Sequence, residues 1–412
     1  MDRADLLDFI EAPGSALLDG WSDAGRWTVA LPEPLEERWF DWGQEDELER
    51  FLRAETRAPR SICGPGLFSG GWVGLLSYEL GAGWENAPLR DPPPAEPAAL
   101  FYRHERIVAL PPGAPAGRRS SPSPLPLSAA RGSMALPEYC RAVEEIRSAI
   151  SRGDVYQVNL TRVLRADVEG PLDPRDVYRA LAGEEPPPYS AILRTSAFDV
   201  VSASPELFLR GDLGSGRVET RPIKGTAPRS ADPAADGEAA RRLLASEKDR
   251  AENVMIADLA RNDLGRVCRP GSVEVTALCR LVSHRVHHLE TTVRGVLRAE
   301  AGIVDLLRAS FPPGSMTGAP KRAAVAAIRR LERESRGVYA GAIGFVGIDG
   351  RFAFNVAIRT CVARAGELRY HTGGGILWDS SPESEWEESE WKARPFLDLV
   401  SRATEGRWRR PA

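Results

Sequence analysis

Hydrophobic and polar positions follow two periods along this chain, one typical of helices and one typical of strands. The helical period is clearest after residue 135, where four apolar side chains recur every three or four positions: Cys140, Val143, Ile146 and Ile150. These residues would share one face of a helix that ends at Gly153-Asp154. Apolar and polar residues then alternate, which predicts a strand. Its apolar positions are Tyr156, Val158 and Leu160.

Three more helices are predicted further along, at Asp236–Leu264, at Ala319–Arg336 and from Ser381 to about Val400. Pro320 stands near the start of the second of these and Gly337 just past its end, which is the usual arrangement at helix termini. Strands are predicted within Ala340–Gly375, where Asp349-Gly350 indicates a tight hairpin turn. Because helices and strands are interspersed without a regular β-α-β alternation, the sequence predicts an α+β protein.

Changes in composition divide the chain into three segments. Residues 1–110 mix short strand-like runs with turns, and they are expected to pack on the core. Residues 111–135 are rich in Pro, Gly, Ser and Ala without an apolar period, which is typical of an exposed linker or long loop. Residues 136–402 carry the regular pattern and are predicted to form the main domain.

The overall composition narrows the class of protein. The chain has 412 residues, 42% of them hydrophobic and 27% charged, with a formal net charge of −4. This is a soluble globular composition, and its mild acidity argues against a nucleic-acid partner. Neither a long apolar run nor a signal peptide is present, so no membrane association is expected. The cysteines are widely spaced without a CxxC pair, which favours a reducing, cytoplasmic location.

Lysine is unusually rare in this sequence. Only four of the 54 basic residues are lysines: Lys224, Lys248, Lys321 and Lys392. Arginine cannot replace a lysine that serves as a compact charge or as a nucleophilic amine, so the remaining lysines are candidates for chemistry. Chance survival on the surface explains one or two of them equally well.

Two of the predicted helices carry carboxylates at positions that share a helix face. Asp249 and Glu252 lie on the first, and Glu385, Glu388 and Lys392 lie on the last. If both faces point into one cleft, they form an all-oxygen site, which suits Mg²⁺ completed by waters and substrate oxygens. Taken alone, each set is more simply a solvated acidic face.

Three short segments that contain glycine add further candidates. Lys224 within Arg221–Thr226 could be a covalent catalyst, beside a glycine that lets a ligand approach the backbone. The segment Gly314–Lys321 leads into a predicted helix and could hold an anion there, although it is not a Walker A loop. Thr372–Gly375 could form an array of N–H groups for a carboxylate. The simpler interpretations of these three segments are, in the same order, a basic residue in a turn, an ordinary helix cap and a flexible turn.

Two further side chains have more than one interpretation. Arg359 is expected on a strand spanning Phe354–Thr360, opposite its apolar face, either as a solvated charge or as a clamp for a carboxylate. His288 is either a proton donor or a buried core histidine, and the latter is commoner. Together the candidates describe a site for a small dianion, with a divalent cation, an arginine, backbone N–H groups and a central lysine.

These segments, in this order, resemble the chorismate-utilising enzymes. That family contains anthranilate synthase large subunits, aminodeoxychorismate synthase component I, isochorismate synthases and salicylate synthases. The resembling segments include Gln157-Val158-Asn159, Ser204-Pro205-Glu206, Pro222–Thr226, Lys248–Asn253, Asp258–Asp263, Gly314–Lys321, Ala357–Thr360, Thr372–Gly375 and Asp379–Lys392. The resemblance implies an anthranilate-synthase-component-I-like fold, in which β-sheets with flanking helices form one intimately packed unit. Residues 136–402 would be its chorismate-binding catalytic domain.

The resemblance also implies roles for individual side chains. Glu252 and Glu388 would bind Mg²⁺, with Asp249 and Glu385 holding its waters. The remaining positions would bind chorismate: Gly225 and Thr226 its ring carboxylate; Tyr339, Arg359, Gly373 and Gly375 its enolpyruvyl carboxylate; His288 and Ser315 its ring; and Lys392 would lie beside the metal-bound carboxylate.

A few positions favour one subgroup, aminodeoxychorismate synthase component I. Isochorismate synthases carry a lysine base where this chain has Gln157, and anthranilate synthases usually carry alanine where it has Lys224. In the favoured subgroup, the resemblance implies that Lys224 attacks C2 of chorismate while Glu206 protonates the departing C4 hydroxyl, and ammonia then enters at C4. The lysine must be neutral to attack, which burial favours and the positive charge of the adjacent metal would reinforce. The alternatives are anthranilate synthase component I and a non-catalytic chorismate-binding subunit.

Two expectations concern partners and regulation. Nothing in the sequence resembles a glutaminase, so a glutamine amidotransferase subunit is expected to supply ammonia, for p-aminobenzoate and folate synthesis. Relatives bind tryptophan near a leucine-rich motif that ends in serine, and this chain has Leu17-Leu18-Asp19-Gly20 there. Glycine in place of that serine argues against tryptophan binding.

Overall fold

The computed structural model describes residues 2–21, 27–57, 68–85, 90, 93–111, 125–183 and 185–405. In chain order the strands are β1 (Ala16–Asp19), β2 (Thr28–Leu31), β3 (Glu36–Phe40), β4 (Gly71–Leu76), β5 (Ala99–His104), β6 (Val108–Leu110), β7 (Arg131–Gly132), β8 (Gln157–Asp167), β9 (Ser190–Arg194), β10 (Asp199–Ala203), β11 (Leu207–Asp212), β12 (Arg217–Arg221), β13 (Ile223–Pro228), β14 (Glu274–Ser283), β15 (Val286–Val296), β16 (Gly318–Ala319), β17 (Ala342–Gly347), β18 (Arg351–Asn355), β19 (Thr360–Arg364) and β20 (Glu367–Ile376). The helices are α1 (Arg3–Leu7), α2 (Glu45–Glu55), α3 (Tyr78–Trp84), α4 (Leu136–Ser151), α5 (Pro174–Ala182), α6 (Pro233–Ala245), α7 (Glu247–Gly265), α8 (Ile303–Ser310), α9 (Lys321–Leu331) and α10 (Pro382–Glu405), with a 3₁₀ turn at Gly314–Met316.

The strands form two large sheets. The first has the order β16-β8-β20-β19-β10-β9-β1-β2-β6, with β7 also beside β8. The second has the order β13-β15-β12-β11-β18-β17-β4-β5-β3, with β14 also beside β15. Strands from residues 1–110 extend both sheets, because β1 pairs with β9 and β4 pairs with β17. Backbone hydrogen bonds therefore join the N-terminal region to the rest of the chain.

The two sheets pack face to face, and helices cover their outer faces. Strand β1 shows the arrangement, because successive side chains of a strand point to opposite faces. Leu18 packs in the core between the sheets with Phe345 of β17, whereas Leu17 packs against the helices with Phe396 of α10. The outer face of the second sheet packs in the same way against α2 and α8. Helix α9 packs against β8 of the first sheet. The predicted α+β architecture with flanking helices is confirmed.

Two of the predicted helices differ from the observed ones. The predicted helix over Asp236–Leu264 is two helices, because Ser246 leaves the helical conformation and its side chain accepts a hydrogen bond from the backbone of Asp249 as the N-cap of α7. The predicted helix over Ala319–Arg336 is shorter: Gly318–Ala319 pairs with β8 as a strand, and α9 ends at Leu331.

Other local predictions agree with the structure. Helix α4 covers the predicted apolar stripe. The hairpin between β17 and β18 turns at Asp349-Gly350, where Gly350 adopts a φ of +84°. Most of the predicted linker, residues 112–124, lies outside the described residues. None of the helices in the described part of the chain combines the length and the apolar run that a membrane crossing requires.

Candidate active site

A cavity of about 370 Å³, called the main cavity below, opens between elements of both sheets and the helices α7 and α10. Every residue that the sequence assigned to the site lines it: Glu206, Lys224, Gly225, Thr226, Asp249, Glu252, His288, Ser315, Tyr339, Arg359, Gly373, Gly375, Glu385, Glu388 and Lys392. Lys248 lines it too, so three of the four lysines meet there. Residues far apart in the sequence thus form one concave surface, which is the usual form of a small-molecule site.

A bulge in strand β13 brings Lys224 into the main cavity. The register with β15 shifts between Lys224 and Thr226, where Gly225 adopts a φ of +72°. A Cβ at Gly225 would lie 3.0 Å from the Cβ of Asp249, so this close approach to α7 requires glycine. Thr226 Oγ1 lies 3.3 Å from Nδ1 of His288 on the neighbouring strand. Glycine here serves both the backbone conformation and the packing.

The amine of Lys224 is paired with a carboxylate. Its Nζ lies 2.6 Å from Oε1 of Glu252, and Nε2 of Gln157 donates to the same oxygen at 2.7 Å. Burial lowers the pKa of Lys224, but the charges of Glu252, Glu206 and Glu388 outweigh burial and raise it. Burial alone therefore does not leave this amine neutral, since the pocket that buries the amine also supplies its counter-ion, and the expected neutral form depends on the charge of the adjacent metal.

The carboxylates of α10 have different environments. Glu388 pairs with Lys392 one helical turn later, at 2.6 Å, and the charge of Lys392 lowers the pKa of Glu388. Lys392 also donates to the carbonyl of Gly373, at 3.1 Å. Burial raises the pKa of Glu385, which accepts a hydrogen bond from Ser380 Oγ at 2.7 Å. Lys392 holds the carboxylate of Glu388 in place, and Ser380 holds that of Glu385. The acidic face of α10 is therefore a fixed part of the cavity wall.

The fit of a divalent cation can be judged from the donor atoms. A Cβ on Gly375 would lie 2.7 Å from Oε1 of Glu252, and a Cβ on Gly374 would lie 3.6 Å from Oε1 of Glu388. Carboxylates of two helices therefore close onto the same glycine run, and they offer only oxygen ligands, which Mg²⁺ prefers. Among the described residues no three acidic, cysteine or histidine side chains form a metal-binding group. Waters and substrate oxygens would complete the coordination of Mg²⁺, which commonly keeps several waters.

The glycine run lies in a strand, which corrects both interpretations of Thr372–Gly375. These residues belong to β20 and pair with β8. A Cβ on Gly373 would lie 2.0 Å from the carbonyl oxygen of Leu160, so the strands could not approach with a side chain there. The glycines form neither a separate array of N–H groups nor a flexible turn. Their missing side chains leave the space that Lys224 and Glu252 occupy.

Glu206 is a buried carboxyl group with an unusual proton affinity. It lies in the connection between β10 and β11 and is 3% exposed. Burial raises its pKa to about 7, although the Ser315 hydroxyl and the Lys224 ammonium each lower it. A carboxyl group with this pKa carries its proton at neutral pH often enough to act as a general acid.

Arg359 supplies an uncompensated positive charge. It is not on a strand, because β18 ends at Asn355 and β19 begins at Thr360, and it adopts a φ of +50° in the connection. Burial lowers the pKa of Arg359, and no carboxylate pairs with it within the described part of the chain. Buried charges normally have a partner, so this guanidinium is suited to receive a substrate anion. Arg359 is half-buried in the wall of the main cavity, which favours the clamp over a charge on the outer surface.

His288 agrees with its commoner interpretation, a buried histidine, whereas the segment around Ser315 differs from what the sequence suggested. Burial, together with the charge of Arg359, lowers the pKa of His288 to about 3, so its imidazole is neutral and cannot donate a proton as an acid near neutral pH. Ser315 lies on the 3₁₀ turn Gly314–Met316, well before α9 begins at Lys321. The segment therefore presents its hydroxyl from a turn, and the predicted anion site at a helix N-terminus is not formed.

The sequence reasoning missed several residues that shape the cavity. His371 is one of them, and its ring stacks on that of the predicted Tyr339, with centroids 4.7 Å apart. Asn159, Tyr370, His371 and Trp391 line the cavity as well. Arg336 lies beneath it and donates to the carbonyls of Asn159 and Met316, at 2.7 and 2.6 Å. No spacing or motif distinguishes Arg336 from the many other arginines of the chain.

The fold and the cavity together define an enzyme of the chorismate-utilising class. The chain matches the chorismate binding enzyme family over residues 22–398, and it belongs to that family. It is 39% identical over 378 residues to an aminodeoxychorismate synthase of Streptomyces griseus, covering 84% of this chain and 52% of the relative. It is 38% identical over 387 residues to an anthranilate synthase component 1 of Streptomyces coelicolor, covering 82% and 75%.

A solved structure supports the same class. The anthranilate synthase component I of Streptococcus pneumoniae TIGR4 superposes with a TM-score of 0.76 at 27% sequence identity, covering 90% of this chain and 92% of that one. The present chain spans about half the length of the S. griseus protein. Relatives with two different names are therefore about equally similar to this chain, and the family does not by itself decide the reaction.

Proposed function

We propose that the protein aminates chorismate to 4-amino-4-deoxychorismate, the reaction of aminodeoxychorismate synthase component I. The observation that carries this proposal is the position of Lys224, whose buried amine lies in the main cavity beside Glu252 and shares that cavity with Glu206. Anthranilate synthases usually have alanine at this place in the motif, and an alanine cannot form a covalent bond to the substrate. A lysine and a carboxylic acid facing one ligand can provide a nucleophile and a proton donor.

The chain's own residues would orient the substrate before reaction. Arg359 would pair with the enolpyruvyl carboxylate, with the Tyr339 hydroxyl beside it. Gly225 and Thr226 would face the ring carboxylate from the β13 bulge. Mg²⁺ bound through Glu252 and Glu388 would hold this carboxylate and screen its charge. Both ends of the dianion would thus be fixed with the ring between Lys224 and Glu206.

The amination can be written in two balanced steps. In the first, neutral Lys224 attacks C2, the ring double bond shifts, and the C4 hydroxyl leaves as water with the proton of Glu206. In the second, ammonia attacks C4, the bond between C2 and Nζ breaks, and its electron pair returns to Lys224 as the free amine. The Glu206 carboxylate then takes a proton from the new ammonium group. Lysine and acid both return to their starting states, and hydroxide never leaves unprotonated.

Anthranilate formation is the second candidate. The relatives named anthranilate synthase component 1 are as similar as those named aminodeoxychorismate synthase. In that reaction ammonia would attack C2 directly, and Lys224 would only pair with Glu252. The two candidates differ in where the nitrogen is found and in whether the enolpyruvyl group is lost.

The test is the product formed from chorismate, Mg²⁺ and an ammonium salt, identified by mass and by NMR. We expect an amino group at C4, a retained enolpyruvyl group and no released pyruvate. Anthranilate with one equivalent of pyruvate would overturn the proposal in favour of the second candidate. Recovery of unchanged chorismate, with chorismate binding retained, would instead indicate a non-catalytic binding subunit.

We further propose that a glutamine amidotransferase supplies the ammonia and that the product serves p-aminobenzoate and folate synthesis in the cytoplasm. Relatives named as component 1 support a partner. The cysteines that the structure describes form no disulfides, which agrees with a reducing compartment: Cys140, Cys268, Cys279 and Cys361. The purified chain is expected to use ammonium salts and not glutamine. Turnover with glutamine alone would contradict the need for a partner.

A further inference from the structure

A second, smaller cavity shares a wall with the main cavity. Its volume is about 30 Å³, and Glu206 and Ser315 line both spaces. A void that holds one water needs about 10–15 Å³, so this small cavity has room for about two molecules of that size. Most of its lining is apolar, and its other polar side chains are Thr220, Asp263 and Ser310. A guest in this small cavity would therefore lie beside two residues that also face the main cavity.

Ser310 shows that the small cavity is suited to a polar guest. The residue is 4% exposed, and its hydroxyl has no hydrogen-bond partner among the residues that the structure describes. Buried hydroxyl groups nearly always have a partner, and leaving one unpaired costs about 1–3 kcal/mol. An unpaired hydroxyl in the wall of a cavity is therefore an unused binding group.

Lys321 holds the polar wall of the small cavity together. Its Nζ donates to Oδ2 of Asp263 at 3.0 Å and to the carbonyl of Ser310 at 2.7 Å. It is the one lysine of the four that does not line the main cavity. A single compact ammonium reaches both groups, whereas the planar guanidinium of arginine has a different donor geometry. The other oxygen of Asp263, Oδ1, forms an ion pair with the Arg266 guanidinium at 3.6 Å, which is longer than a hydrogen bond.

We propose that the small cavity is the subsite that holds ammonia, the nitrogen nucleophile, before it attacks the substrate. This inference rests on the proposed function. Ammonia is close to water in size, and it can accept a hydrogen bond from the Ser310 hydroxyl and donate to Asp263 and Glu206. In the first step Glu206 gives its proton to the departing hydroxyl. It then faces the small cavity as the carboxylate that the incoming nitrogen needs as a proton acceptor.

Two substitutions test the subsite. Ala260→Val would fill the small cavity with carbon without touching a polar group, and Ser310→Ala would keep the space but remove the hydroxyl. Ser310→Ala is expected to raise the KM for ammonium by about tenfold, the effect of one lost hydrogen bond. Ala260→Val is expected to raise it at least as much, because it removes the space itself. The KM for chorismate and the formation of the Lys224 adduct without ammonia should change by less than about twofold.

A matched control fills a different void. Another cavity of about 30 Å³, separate from the small cavity, is lined by Tyr78, Ala82 and Val325 and shares no residue with the main cavity. Val325→Ile should leave the KM for ammonium unchanged, and thermal unfolding of each variant shows that it is folded. If Ala260→Val does not fold, Ser310→Ala decides alone.

The outcomes separate this inference from the proposed function. An unchanged KM for ammonium in folded variants would mean that the small cavity holds only water, and would overturn the subsite. Equal increases of the KM for ammonium and for chorismate would also overturn it. The ammonium dependence can be measured on whichever aminated product forms. Anthranilate as that product would refute the proposed function alone, whereas the absence of any amination would refute both.

Discussion

The Nζ atom of Lys224 lies 2.6 Å from Oε1 of Glu252, and the amide of Gln157 donates to the same oxygen at 2.7 Å. One carboxylate thus joins the proposed nucleophile to the proposed metal site. Because Glu252 contributes to the raised pKa of Lys224, the amine becomes a nucleophile only when that charge is drawn to another partner. Binding of a cation and a substrate carboxylate at Glu252 would therefore also prepare the lysine for attack.

The first prediction concerns the nucleophile. Lys224→Arg keeps the charge beside Glu252, but a guanidinium stays protonated and cannot attack. We expect at least about a hundredfold lower turnover with ammonium, the scale of losing one catalytic group. Wild type incubated with chorismate and no ammonia should show a chorismate-derived mass on Lys224. Lys248→Arg, on a half-exposed side chain of the same cavity, is the matched control and should keep most activity. A fully active Lys224→Arg variant would exclude covalent catalysis.

A second prediction concerns the metal ligands. Glu252→Gln and Glu388→Gln each remove an anionic oxygen from a hard-cation site, so both should lose Mg²⁺-dependent turnover and bind Mg²⁺ more weakly in calorimetry. Glu387→Gln makes the same change of charge one position away, at an exposed residue of α10, and should behave as wild type. Undiminished wild-type turnover in excess chelator would show that no divalent cation is needed.

A third prediction concerns pH. The acid form of Glu206 donates the proton, and its pKa is about 7, so this form is present below pH 7 and is lost as pH rises through 7. With Mg²⁺ and chorismate bound, where Glu252 is drawn to the cation and Lys224 is neutral, formation of the Lys224 adduct should therefore decline above about pH 7 through loss of this acid. Glu206→Gln has no titrating carboxyl group, and it should be slow at every pH without that decline. The same decline in the variant would assign it to another group.

A fourth prediction concerns stability. Arg336 and Glu332 form a buried ion pair at 2.6 Å, and the same Glu332 oxygen accepts a hydrogen bond from the backbone of Thr161 at 2.9 Å. Removing one charge leaves the other buried and unpaired, so Arg336→Met should lower the free energy of unfolding by about 3–5 kcal/mol in urea titrations. Adding Glu332→Gln should recover part of the loss. Equal stability of Arg336→Met and wild type would mean that water already reaches this pair.

Arg336 also shows which parts of the site could not be predicted from the sequence. Residues within ordered motifs, such as Glu252 and Glu388, could be assigned to one site because the motif order is specific. The spacing also predicted that the carboxylates of each helix share a face. Arg336 carried no such signal, since its role depends on carbonyl groups that only the fold brings together. Likewise, the left-handed backbone of Arg359 depends on the connection between two strands in different sheets.

The protonation of Lys224 in the chain alone could not be predicted, for a physical reason. Burial lowers the pKa of an amine, and the charge of an adjacent metal would lower it further. The distance to Glu252 was not visible, because the two residues lie on different elements whose approach is set by Gly225. A pKa depends on both the loss of water and the nearest charge, and only the first could be inferred from residue type.

The last prediction uses the three consecutive glycines of β20, because a methyl group would meet different neighbours at each. At Gly373 it would lie 2.0 Å from a backbone oxygen of β8, which cannot move away, so Gly373→Ala should unfold at a lower temperature. At Gly374 its nearest neighbour would be Oε2 of Glu385 at 3.1 Å, and a small shift of that side chain relieves the contact.

At Gly375 the methyl group would lie 2.2 Å from Gln157 Nε2, 2.7 Å from Glu252 Oε1 and 3.0 Å from Lys224 Nζ. All three are ends of side chains, so they can move and the fold should persist with nearly the wild-type melting temperature. Their mutual geometry would be lost, however, and with it the position of the nucleophile. We expect Gly375→Ala to be folded but to lose most turnover and adduct formation, with Gly374→Ala much less affected. If Gly375→Ala retained wild-type turnover, the arrangement of Lys224 and Glu252 would not be required for catalysis.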